Sequence, residues 1–237
     1  MNVQSNSYTF IYSSVIVIVV ATLLALAATA LKPAQDRNIE IEKKQNILAS
    51  VRISSTRENV QSLYDKYISD SYTINNKGEI IEDVDPFTVN LREELKKAPG
   101  KRNLPVFECT RNDSLFVVIP VYGKGLWGPV WGYISLMRDR RQEGDTALYI
   151  PYREIYGAIF DHKGETPGLG AEISQPFFQL PFRDKVIFDT EGRFTPVKVV
   201  KGGADKASLH EVDAISGGTI TSKGVEAMLD TLSLIHI

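Results

Sequence analysis

The chain has 237 residues, which suits one anchor segment plus one domain of ordinary size. Its 27 basic and 29 acidic side chains nearly cancel and 43% of its residues are hydrophobic, so a folded core is expected and no charge excess points to nucleic acid. The single cysteine, Cys109, excludes an intrachain disulfide and the multi-cysteine zinc and iron–sulfur patterns, and reads as a small buried apolar residue.

Residues 1–7 form a short uncharged tail. Tyr8 to Leu31 is almost wholly apolar, 24 residues where a membrane span needs roughly 20. Lys32 is the first charge, and Tyr8 and Tyr12 sit where interfacial aromatics are expected. Ala28-Thr29-Ala30 resembles a signal-peptidase site. The run is longer than a usual signal core and no basic residue precedes it, so an uncleaved single span is the preferred reading; the charge of its flanks sets orientation poorly.

Residues 36–70 predict helix in two pieces. Ile39, Ile41, Ile47, Leu48 and Val51 recur at near-helical spacing in the first. Ser55-Thr56-Arg57-Glu58 reads as a capping box opening the second, whose stripe is Val60, Leu63, Tyr64 and Tyr67. Asn75-Asn76-Lys77-Gly78 marks a turn, and Pro86 to Ala98 reads as a further helix. After Gly100 the pattern changes to strands: Leu115–Val121, Val130–Met137, Tyr156–Phe160, Lys185–Phe188 and Pro196–Val200. A last helix begins near Ser222, with Val225, Met228, Leu229 and Leu232 on one face. The fold class is α+β: a transmembrane helix over 8–31, a helical linker and the N-terminal part of the soluble domain over 32–99, and one domain over 100–237 with a mostly antiparallel sheet and flanking helices.

Three glycine-bearing stretches can carry chemistry. Tyr122-Gly-Lys-Gly-Leu-Trp127-Gly-Pro-Val-Trp-Gly132 places Trp127 beside a glycine turn, where it walls a pocket or fills a tight corner. Asp161-His162-Lys-Gly-Glu165-Thr166-Pro-Gly-Leu169-Gly170 contains a Pro-Gly turn. His162 has no ligand spacing to His210 or His236, so no metal site is expected. The third, Asp213-Ala-Ile-Ser216-Gly217-Gly218-Thr219-Ile-Thr221-Ser222, lies directly before the last helix. Its glycines admit close backbone approach and positive φ, and amides at a helix start favour a phosphate. It is neither a Walker loop nor a Rossmann fingerprint, and its spacing alone equally suits a polar loop capping the helix.

Asp213-x-x-Ser216-Gly217-Gly218-Thr219 resembles the flavinylation motif of the FMN-binding domain family, D-x-x-[S/T]-G-A-T, in which a flavin transferase joins FMN to the threonine hydroxyl through a phosphoester. The resemblance implies FMN as covalent cofactor on Thr219, with Ser216, Gly217, Gly218 and Thr221 around it. Asp213 then binds the transferase's metal, orients the loop or simply forms a turn. Gly218 stands where the family usually has alanine. The ETPGLG string resembles the loop that lies against the flavin there, so Leu169 would face the ring and Glu165 and Thr166 its edge. GxGLWGP, with Trp127, resembles the element of the C-subunit branch of Na⁺-translocating NADH:quinone oxidoreductases.

That branch implies an electron relay without a general acid or base of its own. It implies a single-pass protein of the bacterial inner membrane with a periplasmic domain, partnered by the other membrane subunits and, during maturation, by the transferase. Two alternatives are the G-type subunit of an Rnf electron-transport complex and a cofactor-free anchored binding module. The end of the chain, Leu232–Ile237, departs from the branch and suggests truncation or a foreign tail.

Overall fold

The structure is a computed structural model that describes residues 5–112, 114–138 and 152–234. The chain divides into two compact units, one ending at Glu42 and one beginning at Lys43. The first is carried by helix α1, Asn6–Ser50, which includes the apolar run. This helix is long and apolar enough to cross a membrane. Its large apolar side chains from Phe10 to Leu31 lie exposed, and a helix is the form in which such a segment satisfies its own backbone in lipid.

The second unit is built on a six-stranded antiparallel sheet. Its elements are α2 (Val60–Tyr67), β1 (Ile68–Ile74), β2 (Ile80–Ile81), α3 (Leu91–Glu94), β3 (Leu104–Arg111), β4 (Ser114–Lys124), β5 (Pro129–Arg138), β6 (Tyr152–His162), α4 (Pro176–Gln179), β7 (Lys198–Val200), β8 (Glu211–Asp213) and α5 (Thr219–Leu229). The sheet runs β2-β1-β3-β4-β5-β6, and β7 and β8 form a small parallel pair beside it. The sheet is therefore continuous across residue 100, since β1 pairs with β3.

Both faces of the sheet are covered, which explains the nearly unbroken apolar run of β4. Val117, Ile119 and Val121 join the main core with Ile134, Phe160, Phe182, Val199, Val225 and Met228. Phe116 and Val118 alternate with them and are buried on the other face, across from Cys109 and Phe107. Burial lifts the Cys109 thiol to about 11, the nearby Arg111 charge only partly opposing it.

The last turns of α1 belong to this unit. Ile47, Leu48 and Val51 are fully buried. Arg52, at φ 62°, closes the helix in a Schellman arrangement: its amide donates to Ala49 O at 2.9 Å and Ile53 N donates to Leu48 O at 2.9 Å. The terminal carbonyls then find donors in the sheet. Ser135 Oγ donates to Ser50 O at 2.6 Å, and Arg111 Nη1 to Val51 O at 3.0 Å. A cation at a helix C-terminus is also favoured by the dipole. Gly157 is required here, because a Cβ would collide with the Ser50 carbonyl.

Several expected elements differ. Ser55 and Glu58 do not form the capping box; Asn59 Oδ1 takes the Thr56 amide at 2.7 Å, so the reach-back bond is made one residue later and α2 starts at Val60. The helix ends at Tyr67, and Ile68–Ile74 is strand because its backbone pairs with β3. Only Leu91–Glu94 of Pro86–Ala98 is helical. Asp85 Oδ1 takes the Phe87 amide in a local turn, Asn90 caps the helix through the Arg92 amide at 3.1 Å, and Pro99 follows. Lys185–Phe188 makes isolated bridges rather than a strand. The last helix starts three residues before Ser222, at Thr219.

Replacing Gly157 by alanine should destabilise the protein by about 1–3 kcal/mol, read by denaturant unfolding. Cys109 should resist a thiol reagent in the native protein at about pH 8 and react fully once unfolded, followed by thiol titration.

Candidate cofactor site

The three glycine-bearing stretches meet at one end of the sheet. The first lies at the β4–β5 turn, the second follows β6, and the third leads from β8 into α5. Helix α5 is laid directly on the end of β4. A Cβ at Gly224 would strike the Lys124 carbonyl, and one at Gly123 would come within 2.9 Å of Met228 Cβ. These close approaches, with Val199 N donating to Glu226 Oε2 at 2.6 Å, hold the body of α5 against β4 and β7.

Glu165 joins the three stretches. It is only 4% exposed, and its two oxygens go to different stretches. Oε1 accepts the Trp127 amide at 2.8 Å; Oε2 accepts the Thr221 hydroxyl at 2.6 Å. The Glu165 amide donates to His162 Nδ1 at 3.1 Å, so that nitrogen serves as an acceptor. Glycines make room for the carboxylate: a Cβ at Gly125 or Gly170 would run into its oxygens.

The third stretch is shaped by its neighbours. Gly217 has φ +76°, and a Cβ there would lie 2.6 Å from Leu169 Cδ2. Gly218 is the residue before the helix, at an ordinary φ of −104°. A Cβ on it would lie 3.0 Å from Ile215 Cγ2 and 3.2 Å from the Leu169 carbonyl carbon, so the alanine usual in the family fits with small adjustments. Ser222 is buried, and its hydroxyl accepts the Ile215 amide at 3.1 Å. Thr219 is half-buried in the first turn, Ser216 is exposed, and Ser222 N donates to Gly218 O, which opens the intrahelical ladder. Amides ahead of that point have no intrahelical acceptor and suit an anion.

The sequence-nominated residues thus fall into two groups. Ser216, Gly217, Thr219, Leu169, Thr166 and Trp127 border the outer surface, with the Trp127 side chain in the open at 71% exposure, while Gly218 is buried just before α5. Glu165 and Thr221 face each other inside. Asp213 ends β8, and its Oδ1 accepts the Ala204 amide at 2.6 Å, fastening the Gly202-Gly203 turn. The cradling role of Gly125 and Gly170 has no sequence signal, since Gly125 lies in a different stretch from Glu165 and meets it only in the fold. Among the described residues no cluster of His, Cys, Asp or Glu is arranged to hold a metal ion, and His236 and the last residues of the tail lie outside them.

The residues present fit FMN. A half-buried hydroxyl and first-turn amides suit a phosphate, and the exposed Trp127, Leu169 and Ile220 side chains offer apolar surface for a flavin ring. Residues 125–232 match the family model described as FMN-binding domain, so this part of the chain is a flavin-binding module. The chain is 31% identical to the C subunit of the Na(+)-translocating NADH-quinone reductase of Haemophilus ducreyi, covering 95% of this chain and 88% of that one. It is 30% identical to the C subunit of the same reductase from Vibrio parahaemolyticus, over 90% and 85%. The crystal structure of the C subunit from Parabacteroides distasonis superposes with a TM-score of 0.74 at 36% identity, covering 87% of this chain and 98% of that one. The chain belongs to the family formed by the C subunits of Na⁺-translocating NADH-quinone reductases.

Gly217→Ala should cost about 1 kcal/mol or more, from strained φ and the Leu169 contact, whereas Gly218→Ala should cost less than that; paired thermal melts measure both.

Proposed function

We propose that this chain is the covalent flavin carrier of a Na⁺-translocating NADH:quinone oxidoreductase, holding FMN on Thr219 and relaying electrons from NADH toward quinone. The observation that carries the reading is Thr219 itself. It is half-buried in the first turn of α5, inside the D-x-x-S-G-G-T motif, with apolar side chains exposed around it.

In the attachment the Thr219 oxygen forms a bond to the flavin phosphorus as the phosphoanhydride of a flavin-dinucleotide donor breaks. The nucleotide leaves, and the hydroxyl proton passes to solvent. The first-turn amides would hold the phosphate, with Gly217 and Gly218 letting the backbone come close and the Ser216 hydroxyl nearby. Leu169 and Trp127 would offer apolar faces to the ring, and the exposed Thr166 a polar contact near its edge. FMN supplies the redox chemistry; the chain holds and places it. No side chain is asked to act as general acid or base.

The apolar helix anchors the chain in the bacterial inner membrane as a single pass, with the flavin domain in the periplasm. The partners are the other membrane subunits of the complex and, during maturation, a flavin transferase. The relatives, named as parts of the Na(+)-translocating reductase, favour this complex over an Rnf-type one.

The test is intact mass of the full chain after co-expression with a flavin transferase, beside Thr219→Ala. The wild type should gain about 438 Da, FMN less one water, and the variant nothing. No gain in either, with the transferase active on a control substrate, would favour a cofactor-free anchored module.

A further inference from the structure

We propose that Glu165 is a positioning residue that selects which hydroxyl is modified, by turning Thr221 inward and so presenting Thr219 outward. The inference rests on the reading of Thr219 as the flavin acceptor.

Four hydroxyls crowd the start of α5: Ser216, Thr219, Thr221 and Ser222. Two are engaged within the protein. Ser222 holds the Ile215 amide, and Thr221, at 1% exposure, donates to Glu165. Successive helical residues are rotated by about 100°, so positions 219 and 221 lie on nearly opposite sides of the helix. Pinning Thr221 to the interior therefore sets the rotation of the first turn and turns Thr219 toward the surface.

The pin is strong because its acceptor has little freedom. The 2.6 Å bond is short for a hydroxyl donor. Glu165 is held in turn by the Trp127 amide and walled by Gly125 and Gly170. Rotating α5 to expose Thr221 would leave a buried carboxyl oxygen without this partner, which is expensive. The same carboxylate ties the Trp127 turn to α5, so one side chain fixes that turn and the start of the helix relative to each other.

The experiment uses the full chain co-expressed with a flavin transferase. The flavin is located by peptide mass spectrometry, the labelling rate is followed, and a thermal melt is recorded for each variant. Glu165→Gln keeps an acceptor for Trp127 N and can still bond Thr221, whose hydroxyl is free to turn; Thr221→Ser keeps the hydroxyl. Both should label on Thr219 at the wild-type rate. Thr221→Val and Glu165→Leu should label about tenfold more slowly or place part of the flavin on Ser216 or, where present, Thr221. Thr221→Val that melts near the wild type and labels at Thr219 at the wild-type rate would overturn the proposal. So would Glu165→Gln that melts normally but fails to label, since geometry would then not be what matters. A wild type that takes no flavin would overturn the reading of Thr219 itself, and the selection with it; a labelled wild type separates the two.

Discussion

A carboxylate as deeply buried as that of Glu165 has to be hydrogen-bonded, and this requirement organises the whole upper end of the domain. Its donors come from stretches far apart in sequence, the Trp127 amide and the Thr221 hydroxyl. Meeting both at once fixes the β4–β5 turn, the loop after β6 and the start of α5 relative to one another. The glycines at 125 and 170 follow from the same requirement, since any side chain there would occupy the space of the oxygens. Polar residues at this end thus act as fasteners, and apolar ones, Trp127, Leu169 and Ile220, are left facing outward.

The fasteners work because the platform beneath them is packed on both faces. Contact between Gly224 and the Lys124 carbonyl brings α5 closer to β4 than side chains would permit. On the other face the end of α1 spends its last carbonyls on Ser135 and Arg111. The loop that leads into α5 can then be short and exposed without being loose, since its position is inherited from the sheet.

Legibility in the sequence followed the kind of signal. The apolar run of α1, the short apolar, β-rich runs of β4 and β5 and the stripe of α5 were visible because each is a strong local signal. β1, with its run of small polar residues, was hidden, because its strand state comes from pairing with β3 rather than from its own pattern. The capping box at Ser55 misled because Asn59 offers an equivalent bond one residue later. At the site, the motif singled out Thr219 and its glycines as candidates. The inward turn of Thr221 and Glu165 was not legible, since a hydroxyl or carboxylate in a motif looks the same whether it faces a ligand or another side chain.

The way α1 ends also bears on where the molecule can be cut. The membrane-competent stretch closes near Leu31, yet Ile47, Leu48 and Val51 lie in the interior of the globular unit, and Lys43 Nζ already donates to Phe87 O at 2.8 Å. The segment has two solvents in one helix, lipid for its first part and protein core for its last. A water-soluble fragment that starts at the first residue after the helix would be missing a wall of its own core, while one that starts at Lys43 would keep it.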